Sequence, residues 1–99
     1  MNARAAVAGG SDFERAAQVF SLLSATSRLR IIGALCEGEM CVGELATVTG
    51  LPQPTVSQHL NLLFRAGLLD RRREGVQVHY RVDQKMRSFL CRAVSALLE

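Results

Sequence analysis

Nowhere does this chain hold the ~18 consecutive apolar residues that cross a bilayer as a helix, so no membrane-spanning segment and no membrane partner is expected. Residues 1–10, MNARAAVAGG, lack the continuous hydrophobic stretch of a signal peptide. The expectation is a cytoplasmic protein with a loose tail over 1–10 and a single domain over 11–99. Histidine is scarce: His59 and His79 are the only two, which leaves little for zinc. Cysteine is scarce and odd in number, with Cys36, Cys41 and Cys91. An odd count in a cytosolic chain argues against a structural disulfide framework, so all three are expected as thiols. No carboxylate pair, Ser/His/Asp grouping or phosphate-cradling glycine loop is visible, which argues against an enzyme, and nothing calls for a bound cofactor.

What the chain does have is positive charge in one place. The formal net charge is only +3, but residues 53–81 hold five arginines (65, 71, 72, 73 and 81) against Asp70 and Glu74. Residues 1–52 are net negative by one charge, with four arginines against five acids. Such concentration in one segment points to nucleic acid more than the total does.

That segment has the pattern of a reader. At 100° per residue, a helix from about Pro54 to Ala66 sets Val56, His59, Leu60, Leu63 and Gly67 within an arc of about 100°. Pro54, Ser57, Gln58, Asn61 and Arg65 gather roughly opposite. The free face therefore carries small hydrogen-bonding groups suited to base edges, with an arginine one turn on for a phosphate. Upstream, Val42 to Val48 ends at Thr49-Gly50-Leu51-Pro52. Gly50 suits a left-handed C-cap, and Pro52 and Pro54 are tolerated around a helix start, which gives helix-turn-helix spacing. Downstream, Val76, Val78, Tyr80 and Val82 alternate with Gln77, His79 and Arg81 in a half-exposed strand. Glu74-Gly75 turns it back onto Leu68 to Arg73 in a two-stranded hairpin. Alone, Arg71-Arg72-Arg73 would be a solubilising run; directly after a recognition helix it reads as a wing on the phosphate backbone.

From Leu22 to Val82 the sequence resembles the ArsR/SmtB-type winged-helix repressors. The carrying motifs are Ser27-Arg28-Leu29-Arg30-Ile31, Thr55-Val56-Ser57-Gln58-His59-Leu60, and Ala66-Gly67-Leu68-Leu69 leading to Arg72-Arg73-Glu74-Gly75. The resemblance implies a mainly α fold with a small β-hairpin, a winged helix-turn-helix whose first and last helices form a dimer interface. It also implies a homodimeric repressor that holds double-stranded operator DNA until a small inducer loosens it. By position, Gln53, Thr55, Ser57, Gln58 and Asn61 would face DNA, with Arg72 and Arg73 on the wing. His59, at the edge of the packed arc, reads as structural. In another class, the same wing would grip an acidic protein partner and read no DNA sequence.

The ends fit a dimer. Hydrophobic residues make up 48% of the chain, more than so small a monomer needs to hide. Ser11-Asp12-Phe13-Glu14 has a capping-box pattern, with Phe13, Ala16, Ala17, Phe20 and Leu23 as an apolar stripe behind it. Met86, Leu90, Ala93 and Leu97 form a second stripe, with Phe89 and Val94 at its margins.

The three cysteines are the candidate inducer site. Cys36 lies with Leu29, Ile32 and Leu35 on a packed arc, as a small hydrophobe would. Cys41 takes the Ser/Thr slot of a capping box, where the helix dipole favours a thiolate and Glu44 opposes it. Cys91 stands off its helix's stripe, beside Ser88 and Ser95. Metal-sensing relatives carry a Cys-x-Cys before the turn or Asp/His pairs on the last helix. Here Gly43 replaces one thiol, Ala46 stands where some members have another, and the last helix has no histidine. Arsenite on Cys36, Cys41 and Cys91 is one alternative. Oxidants or reactive sulfur species acting on Cys41 or Cys36 with Cys91 are the other and the preferred one. Persulfide-sensing relatives pair a thiol on the helix matching 27–36 with one on the last helix, and Cys36 and Cys91 keep that arrangement loosely.

Overall fold

The computed structural model describes residues 10–98. The tail expected over 1–10 lies outside them except for Gly10, which is already helical. Five helices and three short strands follow in order: α1 (Gly10–Leu23), α2 (Thr26–Glu37), β1 (Met40–Cys41), α3 (Val42–Thr49), α4 (Gln53–Arg65), β2 (Leu69–Glu74), β3 (Gln77–Val82) and α5 (Gln84–Leu98). Among the described residues no single helix is long and apolar enough to cross a membrane.

The turn between α3 and α4 is built as its residues dictate. Gly50 takes a left-handed φ of 74° and its N–H closes on Ala46 O at 2.9 Å. Pro52 is the N-cap of α4, and Pro54 lies in the first turn, where a missing N–H costs nothing. The far end of α4 closes with the Gly67 N–H on Phe64 O and the Leu68 N–H on Leu63 O, both 3.0 Å. This Schellman closure needs a left-handed residue, and Gly67 supplies it at φ 82°. Arg15, reaching over from α1, donates to Ala66 O at 2.7 Å and secures the same end.

The core lies under the turn. Ile31, Ile32 and Leu35 of α2, Leu45 of α3, and Val56, Leu60 and Leu63 of α4 are fully buried, joined by Leu68, Leu69, Val82 and Leu90. The α4 residues among them fall on the arc that periodicity assigned to packing, so the opposite face is left to solvent. Buried apolar area at about 25 cal/mol per Å2 is the main force setting α4 in this orientation.

Two features differ from expectation. The expected hairpin of β2 and β3 is present, Leu69 opposite Val82 through Glu74 opposite Gln77, but a third strand joins it: β1 pairs antiparallel with β3, Met40 opposite Tyr80 and Cys41 opposite His79, giving the sheet order β1-β3-β2. A two-residue strand is too short to show alternation, so pattern could not reveal it. The α1 stripe packs on its own chain only in part, with Leu23 against the core. Val19 is buried instead, while Phe13 and Phe20 are 56% and 61% exposed. Phe20 meets Phe89 of α5 edge to face, ring centres 5.9 Å apart. With Leu97 and Leu98 also outward, α1 and α5 present uncovered apolar side chains.

Candidate nucleic-acid interface and thiol site

Ser57, Gln58, Asn61 and Arg65 are exposed together along α4, and the hairpin follows after only Ala66, Gly67 and Leu68. Gln53, in the first turn, is exposed as well and lies about 40° around the helix from Ser57, its Nε2 3.9 Å from where a Cβ on Gly43 would be. Thr55 is half-buried at the margin of that face. Four of the five helix candidates are therefore exposed, with Arg65 beside them.

The three wing arginines divide by partner. Arg71 lays its guanidinium over the Phe64 ring, 3.9 Å from the centroid, and so fixes the root of the wing to α4. Arg72 is held between two carboxylates: Nε donates to Glu39 Oε1 at 2.9 Å, Nη2 stands 2.6 Å from the same oxygen, and Nη1 is 2.6 Å from Glu74 Oε2. These bonds raise the guanidinium's pKa further, while Arg72 holds Glu39 and Glu74 below the ordinary carboxylate range. Arg73 is exposed. Arg72 must therefore exchange carboxylates for phosphate before it can grip a backbone. Spacing signalled neither the Phe64 stack nor Glu39, because both partners come from other elements.

His59 is half-buried, and burial first, then the charge of Arg28, pushes its imidazole below the ordinary value. A depressed histidine favours the folded state above about pH 6.5, and that contribution is lost as pH falls through the lower folded value. Urea unfolding at about pH 7.5 and about pH 5.5 should show a drop for the native protein and a smaller one for His59→Gln. Equal drops would remove His59 from the account.

The cysteines do not converge. Cys36 of α2 and Cys91 of α5 are joined in a disulfide with Cα atoms 5.7 Å apart, so the expectation of three thiols holds for Cys41 alone. Their helices pack side by side, which sequence distance conceals. Cys41 caps α3 in the capping box its sequence suggested: its backbone N–H donates to Glu44 Oε1 at 3.0 Å. That bond comes first among the causes that lower the Glu44 carboxyl's pKa. Among the described residues no group of three His, Cys, Asp or Glu stands close enough to hold a metal ion. The three-thiolate arsenite site on Cys36, Cys41 and Cys91 is accordingly not assembled within this chain. A groove of about 890 Å3 runs beside the disulfide, with Leu29, Gly33, Ala34, Val94 and Leu97 among its walls. On the other side of the bond, Arg87 Nη2 donates to Cys36 O at 2.8 Å.

Residues 26–71 match the pattern described as bacterial regulatory protein, arsR family. An HTH-type transcriptional regulator of Methanocaldococcus jannaschii is 38% identical over 80 residues, covering 79% of this chain and 90% of that protein. The biofilm growth-associated repressor of Agrobacterium fabrum is 38% identical over 87 residues, 85% of this chain and 74% of its own length. Among solved structures, the homodimeric winged helix-turn-helix DNA-binding domain from Mycobacterium bovis superposes with a TM-score of 0.76. It is 31% identical and covers 99% of this chain and 86% of that one.

Proposed function

Because this chain belongs to the arsR family of bacterial regulatory proteins and is a transcriptional repressor rather than an enzyme, we propose that it binds operator DNA as a homodimer and lets go when Cys36 and Cys91 are oxidised. The observation that carries the DNA half is the exposed face Ser57, Gln58 and Asn61 on α4, followed within a few residues by the arginine wing. In this reading the face enters the major groove, while Arg65 and Arg73 meet phosphates. Gln53 and Thr55 contribute from the helix start, and Arg72 joins once DNA displaces Glu39 and Glu74. The dimer half draws on the apolar side chains of α1 and α5: covering Phe13, Phe20 and Phe89 with a second copy would place one reader at each half-site. The domain assigned to 11–99 is kept, with its first helix opening at Gly10.

The switch half draws on the disulfide. A bond between α2, which packs against α1, α3 and α4, and α5 joins the reading unit to a dimer helix. Its inducer is an oxidant or reactive sulfur species able to take two electrons from the reduced pair. Cys41 stands apart from the pair as a capping residue with a free thiol.

Titrating the reduced protein onto a two-fold symmetric duplex at several salt concentrations tests the DNA half. Affinity should fall steeply with salt, and Arg73→Ala should reduce the slope of log K against log salt by about 1. Glu39→Gln, which removes one of the two carboxylates that hold Arg72, should strengthen binding by about threefold. Salt-insensitive binding, or indifference to operator symmetry, would count against the proposal.

A further inference from the structure

We propose that the Cys36–Cys91 disulfide is opened by small thiols carrying additional negative charge, which enter through a basic mouth on α5 formed by Arg87 and Arg92. The inference rests on the redox reading above and names the reductant class for the same site.

The disulfide has two unlike sides. On the groove side both sulfur-bearing residues line a largely apolar wall, where Arg30 and Glu37 bring one charge of each sign. On the other side lies a shallow depression of about 600 Å3 bounded by Gln84, Arg87, Ser88, Cys91, Arg92 and Ser95. Among the described residues that bound it, two are cationic, three are neutral and polar, and none is a carboxylate. Cys91 borders both depressions; Cys36 borders only the groove. A nucleophile arriving through the basic mouth therefore meets Cys91 and not Cys36.

Arg87 is fixed rather than swinging. Its bond to Cys36 O holds the guanidinium beside the residue that becomes the leaving group. Guanidinium stays charged at any physiological pH, and a thiolate beside it is stabilised. At about 100° per residue, Cys91 lies about 160° around α5 from Phe89. Arg87, about 40° around the helix from Cys91, shares that side, away from Phe89.

Reduction takes two thiol–disulfide exchanges. A thiolate RS⁻ attacks Cys91 Sγ, a new S–S bond forms to R, and the Cys36–Cys91 bond breaks with its electron pair leaving on Cys36 Sγ. A second RS⁻ attacks the R sulfur of the mixed disulfide and releases Cys91 as thiolate and RSSR as product. Two thiols are oxidised and one protein disulfide is reduced. Arg87 favours the first step by stabilising the departing Cys36 thiolate. The mouth favours it again when R itself is anionic.

The experiment uses the whole oxidised protein and three probes: 2-mercaptoethanesulfonate, 2-mercaptoethanol and cysteamine, with rates corrected for each thiol's ionised fraction. Quenched alkylation and mass spectrometry follow the loss of the disulfide. The anionic thiol should react about tenfold faster than the neutral one at low salt, with the cationic one slowest. The spread should collapse near 1 M salt. The first adduct should sit on Cys91. Arg92→Gln and Arg87→Gln should each narrow the spread, whereas Arg87→Lys, which keeps the charge, should largely retain it. Equal rates for the three probes, or a first adduct on Cys36, overturn the proposal. If oxidation of the native protein yields no bond between Cys36 and Cys91, the redox reading falls with it; a bond that forms but shows no charge preference overturns the mouth alone.

Discussion

Oxidising Cys36 and Cys91 to their disulfide should weaken operator binding by about 5- to 150-fold, the span ordinary for coupling between two sites in one protein. The reason is geometric. B-form DNA sets paired half-sites about 34 Å apart and does not adjust cheaply, so two readers bind well together only at one separation. In the proposed dimer α1 and α5 set that separation, and α5 is the helix the disulfide ties to α2. A tie that shifts α5 by even a small angle moves the partner's reader off register. Cys36→Ser and Cys91→Ser should bind as tightly as the reduced native protein and ignore oxidant. Cys41→Ser, which keeps a capping side chain, should still release. Fluorescence anisotropy on a labelled operator, under reducing and oxidising conditions, measures all four proteins. Equal affinity of the native protein in the two states would sink the switch, as would normal release by both single variants of the pair.

Reduction of that bond should lower the unfolding free energy by about 4 kcal/mol, a large share of the 5–15 kcal/mol typical of a domain. The bond links residues 55 apart in sequence, and closing a loop of that length removes much of the unfolded chain's freedom. Urea unfolding with and without a phosphine reductant reads the difference, at fixed protein concentration because dimer stability depends on it. Cys91→Ser should match the reduced protein. Indistinguishable midpoints would show that the bond contributes nothing through the unfolded state.

The pattern of the chain revealed the reader because its signals are local. Gly50, Pro52 and Pro54 act through their own backbone, and Val56, Leu60 and Leu63 declare their burial at helical spacing. What the pattern hid depends on contacts between distant segments. Met40 and Cys41 become a strand only because Tyr80 and His79 stand opposite. Arg72 looks free until Glu39, 33 residues away, takes its Nε. Thr55 shares the polarity of the reading face but is half-buried at its margin. Pairing of Cys36 with Cys91 was one option in the sequence; packing of α2 on α5 brings those two residues together and leaves Cys41 out. For α1, spacing marked an apolar stripe but could not say that Phe13 and Phe20 would be left exposed on this chain.

Arg15 carries a lesson for anyone moving this reader elsewhere. It crosses from the first helix to the carbonyl that ends α4, and a methyl group on Gly67 would sit 3.5 Å from its Nη2. Residues 53–82 are therefore not a portable cassette. Grafted onto another scaffold without a cation in that place, the recognition helix keeps its sequence and loses the clasp on its last turn. A chain trimmed of residues 10–23 loses the same clasp along with its apolar stripe, so a weak operator signal from such a fragment would measure fraying as much as loss of the proposed dimer.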